Sequence, residues 1–259
     1  MTSLSDLPAL RGNEGKLLWQ QQGAAALRVR QWQRWRWLTL GEQTATLQGL
    51  QHLDRPDLPQ LPYAVAMLAG ALALHQPRSL LNLGLGCGAF ERFFRRHFPL
   101  TRVTSVERDP AIIEAAQQWF GLASDHPVIC GDAAHFVTLT PLRFDLLFCD
   151  LHDGNDQALV HAPDFCEQLL RPLGSAGVLV LNLLGVDESK LLSLLMRVRR
   201  QLPAVWLIEP PRSSNLVLVA AKQLPALNEL PQRAAELKSE TGVDLAPYLK
   251  TLTAVPLPA

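Results

Sequence analysis

A glycine-rich segment is the feature that most limits how this chain can fold. Three glycines alternate in Leu81-Asn-Leu-Gly84-Leu-Gly86-Cys87-Gly88-Ala89-Phe90, which follows an apolar run and precedes a helical pattern. Glycine at a strand-to-helix turn lets the backbone approach a ligand and directs the amides of the helix N-terminus toward it. The segment therefore predicts a ligand-binding loop after the first strand of an α/β sheet.

Short apolar runs and helical patterns alternate through residues 79–222, which predicts a Rossmann-like, doubly wound, mainly parallel sheet. The predicted strands are Leu80–Leu85, Arg102–Val106, Val128–Cys130, Phe144–Cys149, Gly177–Leu183, Val205–Ile208 and Leu216–Ala221. The predicted helices are Phe90–Phe98, Pro110–Phe120, Asp164–Leu170 and Glu188–Leu202. Only the turn Glu209–Asn215 separates the last two strands, which indicates an antiparallel hairpin at one edge of the sheet.

The regions on either side differ in composition, so we divide the chain into residues 1–78, 79–222 and 223–259. The first region predicts a small β-hairpin lid, from Ala24–Val29 and Trp35–Leu40, and then a helix from about Leu61 to Leu74. Its mixed Arg and Trp residues at 28–37 favour a hairpin with one apolar face over a nucleic-acid platform, and a dimer surface is an open alternative. The last region predicts a tail with one short helix, Pro231–Lys238.

Composition narrows the class of protein. With 259 residues, 48% of them hydrophobic, and 24 basic against 24 acidic residues, the chain is neither largely disordered nor a strongly basic nucleic-acid binder. The longest uncharged apolar stretch, Tyr63–Leu74, is too short to cross a bilayer, and the chain start lacks the pattern of an export signal. The four cysteines show neither a CxxC motif nor metal-finger spacing. We expect a cytoplasmic protein without a membrane partner.

Acidic residues follow three successive strands. Glu107 closes the second strand, where a carboxylate can accept both hydroxyls of a ribose. Asp132 follows the third strand, where it can accept from the exocyclic amine of adenine, and Asp150 closes the fourth, at the crevice where such sheets bind ligands. The glycines alone also fit a dinucleotide, but these acids and the terminal hairpin together predict a class I S-adenosylmethionine-type site.

Charge is segregated along the chain although the total is zero. Residues 102–170 hold eleven acids and three bases. An acidic site suits a cationic donor and a cationic amine better than an anionic substrate.

Several motifs, in their order and spacing, resemble the spermidine synthase (polyamine aminopropyltransferase) family. They are the glycine loop, Val106-Glu-Arg-Asp-Pro110, Val128-Ile-Cys-Gly-Asp132-Ala, Phe144-Asp-Leu-Leu-Phe-Cys-Asp150-Leu-His-Asp153-Gly154 and Leu61-Pro-Tyr63. The likeness covers roughly residues 25–222 and is closest to the bacterial spermidine-synthase-like branch with a shortened N-terminal domain.

The resemblance implies a homodimer that transfers an aminopropyl group from decarboxylated S-adenosylmethionine to a polyamine. Asp150 and Asp153 match the two catalytic-loop acids that orient and deprotonate the attacking amine. The substrate-side residues are Tyr63, His152 and Asn182. The donor-binding residues are Gly84, Gly86, Cys87, Gly88, Glu107, Arg108, Asp132, Ala133 and Gln48.

Two departures keep other functions open. The family usually has an aspartate where this chain has Cys87, and a glutamine where it has Ala64. A neutral thiol loses a salt-bridge partner for the aminopropyl ammonium and also loses repulsion against the carboxylate of ordinary S-adenosylmethionine. The alternatives are methyl transfer from S-adenosylmethionine to a small molecule, or a catalytically degenerate binding protein. No metal is expected, because Asp150, His152, Asp153 and Asp156 match no standard ligand spacing.

Overall fold

A computed structural model of this protein describes residues 15–22, 26–41, 46–74, 76–151, 160, 162–185 and 187–256. The strands are β1 (Lys16–Gln21), β2 (Leu27–Trp32), β3 (Trp35–Leu40), β4 (Thr46–His52), β5 (Ser79–Leu83), β6 (Arg102–Glu107), β7 (Val128–Cys130), β8 (Phe144–Cys149), β9 (Leu173–Leu184), β10 (Ala204–Ile208), β11 (Asn215–Ala221) and β12 (Leu252–Val255). The helices are α1 (Pro62–Met67), α2 (Ala69–Leu72), α3 (Ala89–His97), α4 (Pro110–Phe120), α5 (Ala133–Leu139), α6 (Pro163–Leu169), α7 (Glu188–Arg199), α8 (Leu230–Thr241) and α9 (Ala246–Leu249).

The larger sheet has the strand order β12-β10-β11-β9-β8-β5-β6-β7. Strands β5 to β9 pair in parallel, whereas β9 with β11, β11 with β10 and β10 with β12 pair antiparallel. The predicted α/β class with a mainly parallel sheet is confirmed. Strand β5 has β6 on one side and β8 on the other, so the direction of winding reverses beside the glycine loop, where sheets of this kind bind ligands.

Helices cover both faces of this sheet because its strands are apolar on both sides. In β8, Leu146 and Phe148 point to one face while Leu147 and Cys149 point to the other, as the two-residue period of a strand requires. The first face packs against α1, α2, α3 and α8, and the second against α5, α6 and α7. The sheet is therefore the centre of a three-layer core that fixes the positions of its strand ends.

The N-terminal region is a four-stranded antiparallel sheet, β1-β2-β3-β4, rather than the lone hairpin that was predicted. The predicted hairpin is present as β2 and β3, with Trp35 opposite Trp32 at its turn. The sequence does not predict the outer strands β1 and β4, because both are rich in glutamine and lack a regular apolar alternation.

Helix α4 and the glycine loop support the N-terminal sheet. Leu27, Val29 and Leu38 pack with Cys87 and Phe120 in one buried cluster. The Gln51 side chain donates to the Phe120 carbonyl oxygen at 2.9 Å, and the Arg36 guanidinium donates to that of Trp119. These bonds satisfy carbonyl groups at the C-terminal end of α4, which have no partner within the helix.

The C-terminal region adds a strand as well as the predicted helix. Strand β12 pairs with β10, so it forms the outer edge that was assigned to the β10–β11 hairpin. The helix predicted at Pro231–Lys238 is α8, which contacts α2 and buries Leu230, Ala234 and Leu237 in the core cluster on the first face of the sheet. Over the described ranges, no helix is both long and apolar enough to span a membrane.

Candidate active site

The glycine loop runs from the end of β5 into α3 and packs closely on the neighbouring strand end. Gly84 has a φ of +93°, and a Cβ atom there would clash with the Asp150 carbonyl oxygen. The Gly84 amide donates to the Val106 carbonyl oxygen at 3.0 Å, and the Asp150 amide donates to that of Leu83 at 2.9 Å. Glycine is required at this position because it allows both the positive φ and the close approach.

A network of buried polar side chains stabilises this loop. The Asn82 amide donates to the Gly84 carbonyl oxygen at 3.1 Å and to Glu91 Oε1 at 2.7 Å. The Ser105 hydroxyl donates to the same carboxylate oxygen at 2.6 Å and lies 3.0 Å from His126 Nε2. Burial lowers the pKa of His126. We did not predict this network, because its residues lie in two strands, a helix and a loop and belong to no recognisable motif.

Main-chain amides hold Glu107 at the end of β6. Its two carboxylate oxygens accept from the Leu85 amide at 3.1 Å and the Asp109 amide at 3.0 Å. Burial raises the pKa of Glu107, and the backbone hydrogen bonds from Asp109 and Leu85 partly oppose that rise. The carboxylate is therefore fixed directly beside the glycine loop.

Asp132 and Asp109 begin helices at the same edge of the sheet. Asp132 caps α5 by accepting from the His135 amide at 2.8 Å, and Asp109 caps α4 by accepting from the Ala111 amide at 2.9 Å. A carboxylate at a helix N-terminus is stabilised by the amides and by the helix dipole. Asp132 keeps an exposed position beside Gly131.

Side chains from other elements hold Asp150 at the end of β8. The Asn182 amide, from β9, donates to Asp150 Oδ1 at 2.7 Å. The Tyr63 hydroxyl, from α1, also donates to this carboxylate, and burial together with the charge of Asp150 raises the pKa of Tyr63 well above its usual value. Tyr63 therefore remains a protonated donor throughout the neutral range.

One cavity of about 130 Å³ joins these groups. It includes most of the predicted donor-side and substrate-side residues, namely Gln48, Tyr63, Gly84, Gly86, Glu107, Arg108, Asp132, Ala133 and Asp150. Leu40, Leu47, Asp109 and Ile112 also line it, and we did not predict these. Asp109 was recognisable only as a helix cap, and the leucines carry no signal of their own. The acids after β6, β7 and β8 thus share one cavity.

Cys87 lies beside this cavity, in a smaller adjoining one that Gln48, Tyr63 and Asp150 also line. Its thiol is buried against Gly49, where a Cβ atom would lie 2.5 Å from that of Cys87. A guanidinium nitrogen of Arg92 lies 3.9 Å from Cys87 Sγ, and Arg92 also donates to the Cys87 carbonyl oxygen and to that of Pro56 at 2.7 Å. A neutral thiol beside a cation therefore occupies the loop position where the resembling family has a carboxylate.

Of four other predicted site residues, two lie elsewhere in the site and two lie outside the residues that the structure describes. Gly88 is the αL residue just before α3, on the helix side of the loop. Asn182 is completely buried behind Asp150. Asp153 and His152 lie outside the described residues, as does Asp156. Within the described part of the chain, no three His, Cys, Asp or Glu side chains form a group that could hold a metal ion.

This chain is similar to known proteins over most of its length. No family model matches it. It is 29% identical over 229 residues to the polyamine aminopropyltransferase of Chromobacterium violaceum, covering 83% of this chain and 84% of the relative. A probable spermidine synthase from Corynebacterium glutamicum has a TM-score of 0.71 at 18% identity, covering 93% of this chain and 90% of that one. Human methyltransferase-like protein 13 in complex with SAH has a TM-score of 0.59 at 25% identity, covering 70% and 89%.

The sequence match extends over most of both chains, and the two structural matches cover most of this chain. The resemblance inferred from the motifs is thereby confirmed. The chain is spermidine-synthase-like, with the fold shared by spermidine synthases and class I methyltransferases.

Proposed function

We propose that this protein is a transferase that moves an aminopropyl group from decarboxylated S-adenosylmethionine to a polyamine. The observation that carries the proposal is Asp150, a carboxylate at the carboxyl edge of the sheet with Tyr63 and Asn182 donating to it, in the same cavity as the glycine loop. The similarity to a polyamine aminopropyltransferase over most of both chains supports it.

In this proposal the donor nucleoside lies along the glycine loop. Glu107 accepts from the ribose hydroxyls, and Asp132 with Ala133 contacts the adenine. The support is that all three line one cavity with Gly84 and Gly86. Arg108 and Gln48 line the same cavity and complete the nucleoside contacts. An ionised Glu107 accepts from the ribose hydroxyls more strongly than a protonated one, so its raised pKa makes donor binding weaken at a higher pH than it would with an ordinary glutamate.

Asp150 would hold and deprotonate the acceptor amine. A polyamine nitrogen is protonated at neutral pH and must lose a proton before it attacks, so it needs an anionic partner that also accepts a proton. The lone pair of the deprotonated polyamine nitrogen then attacks the methylene carbon of the donor that is bonded to the sulfonium sulfur. The C–S bond breaks, and its electron pair stays on sulfur to give a neutral thioether. Asp153, which follows Asp150 in the chain, is assigned to the same step from the resemblance, and His152 between them is assigned to the substrate side of the site.

Methyl transfer from ordinary S-adenosylmethionine is the second candidate, and Cys87 favours it. The adjoining cavity contains the Cys87 thiol where an acidic residue would bind the ammonium of the decarboxylated donor, and Arg92 lies beside that thiol. A neutral position there does not repel the carboxylate of ordinary S-adenosylmethionine. The likeness to a methyltransferase-like protein at 25% identity agrees with this candidate.

The test supplies each donor in turn, with putrescine as the first amine acceptor, and follows the nucleoside product by chromatography. Aminopropyl transfer predicts turnover with the decarboxylated donor and tighter binding of it in calorimetry. Turnover with ordinary S-adenosylmethionine alone would instead establish methyl transfer. If the protein binds neither donor, the remaining candidate is a catalytically degenerate binding protein.

We further propose a cytoplasmic homodimer with a small-molecule amine as its substrate. The dimer rests on the family resemblance, and the compartment on the absence of a CxxC motif among the four cysteines. Sedimentation of the purified protein tests the dimer, and fractionation of the native cell tests the compartment.

A further inference from the structure

A directed chain of hydrogen bonds ends on the candidate catalytic carboxylate. The Ser213 hydroxyl donates to Asn215 Oδ1 at 2.5 Å, and Asn215 Nδ2 donates to Asn182 Oδ1 at 2.9 Å. Asn182 Nδ2 then donates to Asp150 Oδ1 at 2.7 Å. The chain begins in the turn before β11, crosses β9 and reaches the end of β8.

Asp150 determines the direction of every bond in this chain. An ionised carboxylate can only accept, so Asn182 must present its NH₂ group to Asp150 and its carbonyl oxygen to the other side. Asn215 must therefore present its own NH₂ group to Asn182, which leaves its carbonyl oxygen facing the Ser213 hydroxyl. Each amide dipole consequently points its positive end toward Asp150, and the bonds polarise one another in the same sense.

We propose that Asn215 is a positioning residue for the reaction, acting on Asp150 through Asn182, and that Ser213 fixes the orientation of Asn215. The kinetic consequence of this inference rests on the proposed function, because the proposed function assigns Asp150 to the acceptor amine. Asn182 is completely buried and hydrogen-bonds to both Asn215 and Asp150, so it transmits the orientation of Asn215 to Asp150. The Asn215 donor holds the Asn182 carbonyl oxygen, so its removal loosens the amide that donates to Asp150.

The first test replaces Asn215 with residues of similar size that cannot donate. We expect Asn215→Leu and Asn215→Asp each to lower kcat by about tenfold to a hundredfold, because small misplacements of a reacting group have effects of that order. The affinity for methylthioadenosine, the thioether nucleoside that the proposed aminopropyl transfer leaves behind, should stay unchanged when measured by calorimetry. The acid limb of the kcat/KM profile should move to higher pH, because a carboxylate that loses a donor is protonated more readily.

Ser213 provides the matched control pair. Ser213→Thr retains the hydroxyl and should keep the wild-type rate and pH profile, whereas Ser213→Ala should shift both in the same direction as Asn215→Leu but less. If the two Asn215 variants fold, turn over within twofold of the wild type and keep the same acid limb, the proposal is overturned.

A readout without turnover separates this inference from the proposed function. The difference in unfolding free energy between wild type and Asn215→Leu should shrink as the pH falls and Asp150 becomes protonated, and it should lose this pH dependence in an Asp150→Asn background. Of the titratable groups around Asp150, Tyr63 and Cys149 have raised pKa values that keep them neutral in this range. The two cavities that Asp150 lines are also lined by Cys87, Glu107, Arg108, Asp109 and Asp132. The Asp150→Asn background subtracts the contribution of these groups to the pH dependence. A difference that is constant with pH would overturn the proposal even in a protein that transfers no aminopropyl group.

Discussion

Glu107 and Asp150 end the two strands that flank β5, yet different parts of the chain hold them. Main-chain amides of Leu85 and Asp109 bond both oxygens of Glu107. Side chains of Tyr63 and Asn182, from α1 and β9, bond Asp150. One carboxylate is therefore tied to the path of the glycine loop, and the other depends on residues that can be replaced individually.

The difference matches the tasks proposed for the two groups. A group that binds a constant part of the donor, the ribose, gains from a rigid main-chain setting. A group that exchanges a proton with an amine needs surroundings that adjust its charge and orientation, and side-chain donors provide that adjustment. If this comparison is right, changes at Asp150 affect turnover, and changes at Glu107 affect nucleoside affinity.

The largest effect is expected for Asp150→Asn. Loss of the proton acceptor should lower kcat by about 10²- to 10⁴-fold, which is the usual contribution of general base catalysis. Methylthioadenosine affinity should stay close to that of the wild type when measured by calorimetry. A variant that keeps its turnover would refute the catalytic role of Asp150.

Glu107→Ala should produce the opposite pattern. The variant loses hydrogen bonds to a charged acceptor, so nucleoside affinity should fall by about tenfold to a hundredfold. At saturating donor, kcat should change much less than in Asp150→Asn. Comparison of the two variants by calorimetry and steady-state kinetics checks both halves of the contrast, and an unchanged nucleoside affinity would exclude the ribose contact.

Tyr63→Phe tests whether one side-chain donor can be removed alone. The ring remains in place and Asp150 loses one hydrogen bond, so we expect kcat to fall by roughly fivefold, the equivalent of one net hydrogen bond of about 1 kcal/mol. Nucleoside affinity should not change. A loss as large as that of Asp150→Asn would mean that Tyr63 takes part in the chemistry directly.

The smallest expected effect is on stability. Because the pKa of Glu107 is raised in the folded protein, the folded state favours the protonated form more than the unfolded state does. This contribution to stability is complete below the unfolded pKa and is lost as pH rises through the folded one. Urea unfolding across that range should show the loss in wild type, while Glu107→Gln should lack it. Identical pH slopes in the two proteins would contradict the assigned burial effect.

The sheet and its acidic strand ends can be predicted from the sequence because apolar runs and strand-terminal acids are local signals. Asp150 and Glu107 follow strands that are recognisable from their own residues, so their shared edge follows from a parallel sheet. Strand β4 is polar, and β12 is short and pairs with β10 rather than with β11, the strand before it in the chain. Asn215 lies 33 residues from Asn182, and no local pattern indicates their hydrogen bond.

The contact between Gly49 and Cys87 has a consequence for how this protein unfolds. Strand β4 lies on the glycine loop so closely that a methyl group at Gly49 would overlap the Cys87 side chain. The N-terminal sheet and the larger sheet thus share one packed boundary, and separating them would expose Leu27, Val29 and Leu38 to water. Amide hydrogens of β4 and β5 should consequently exchange with the same protection, as parts of a single cooperative unit.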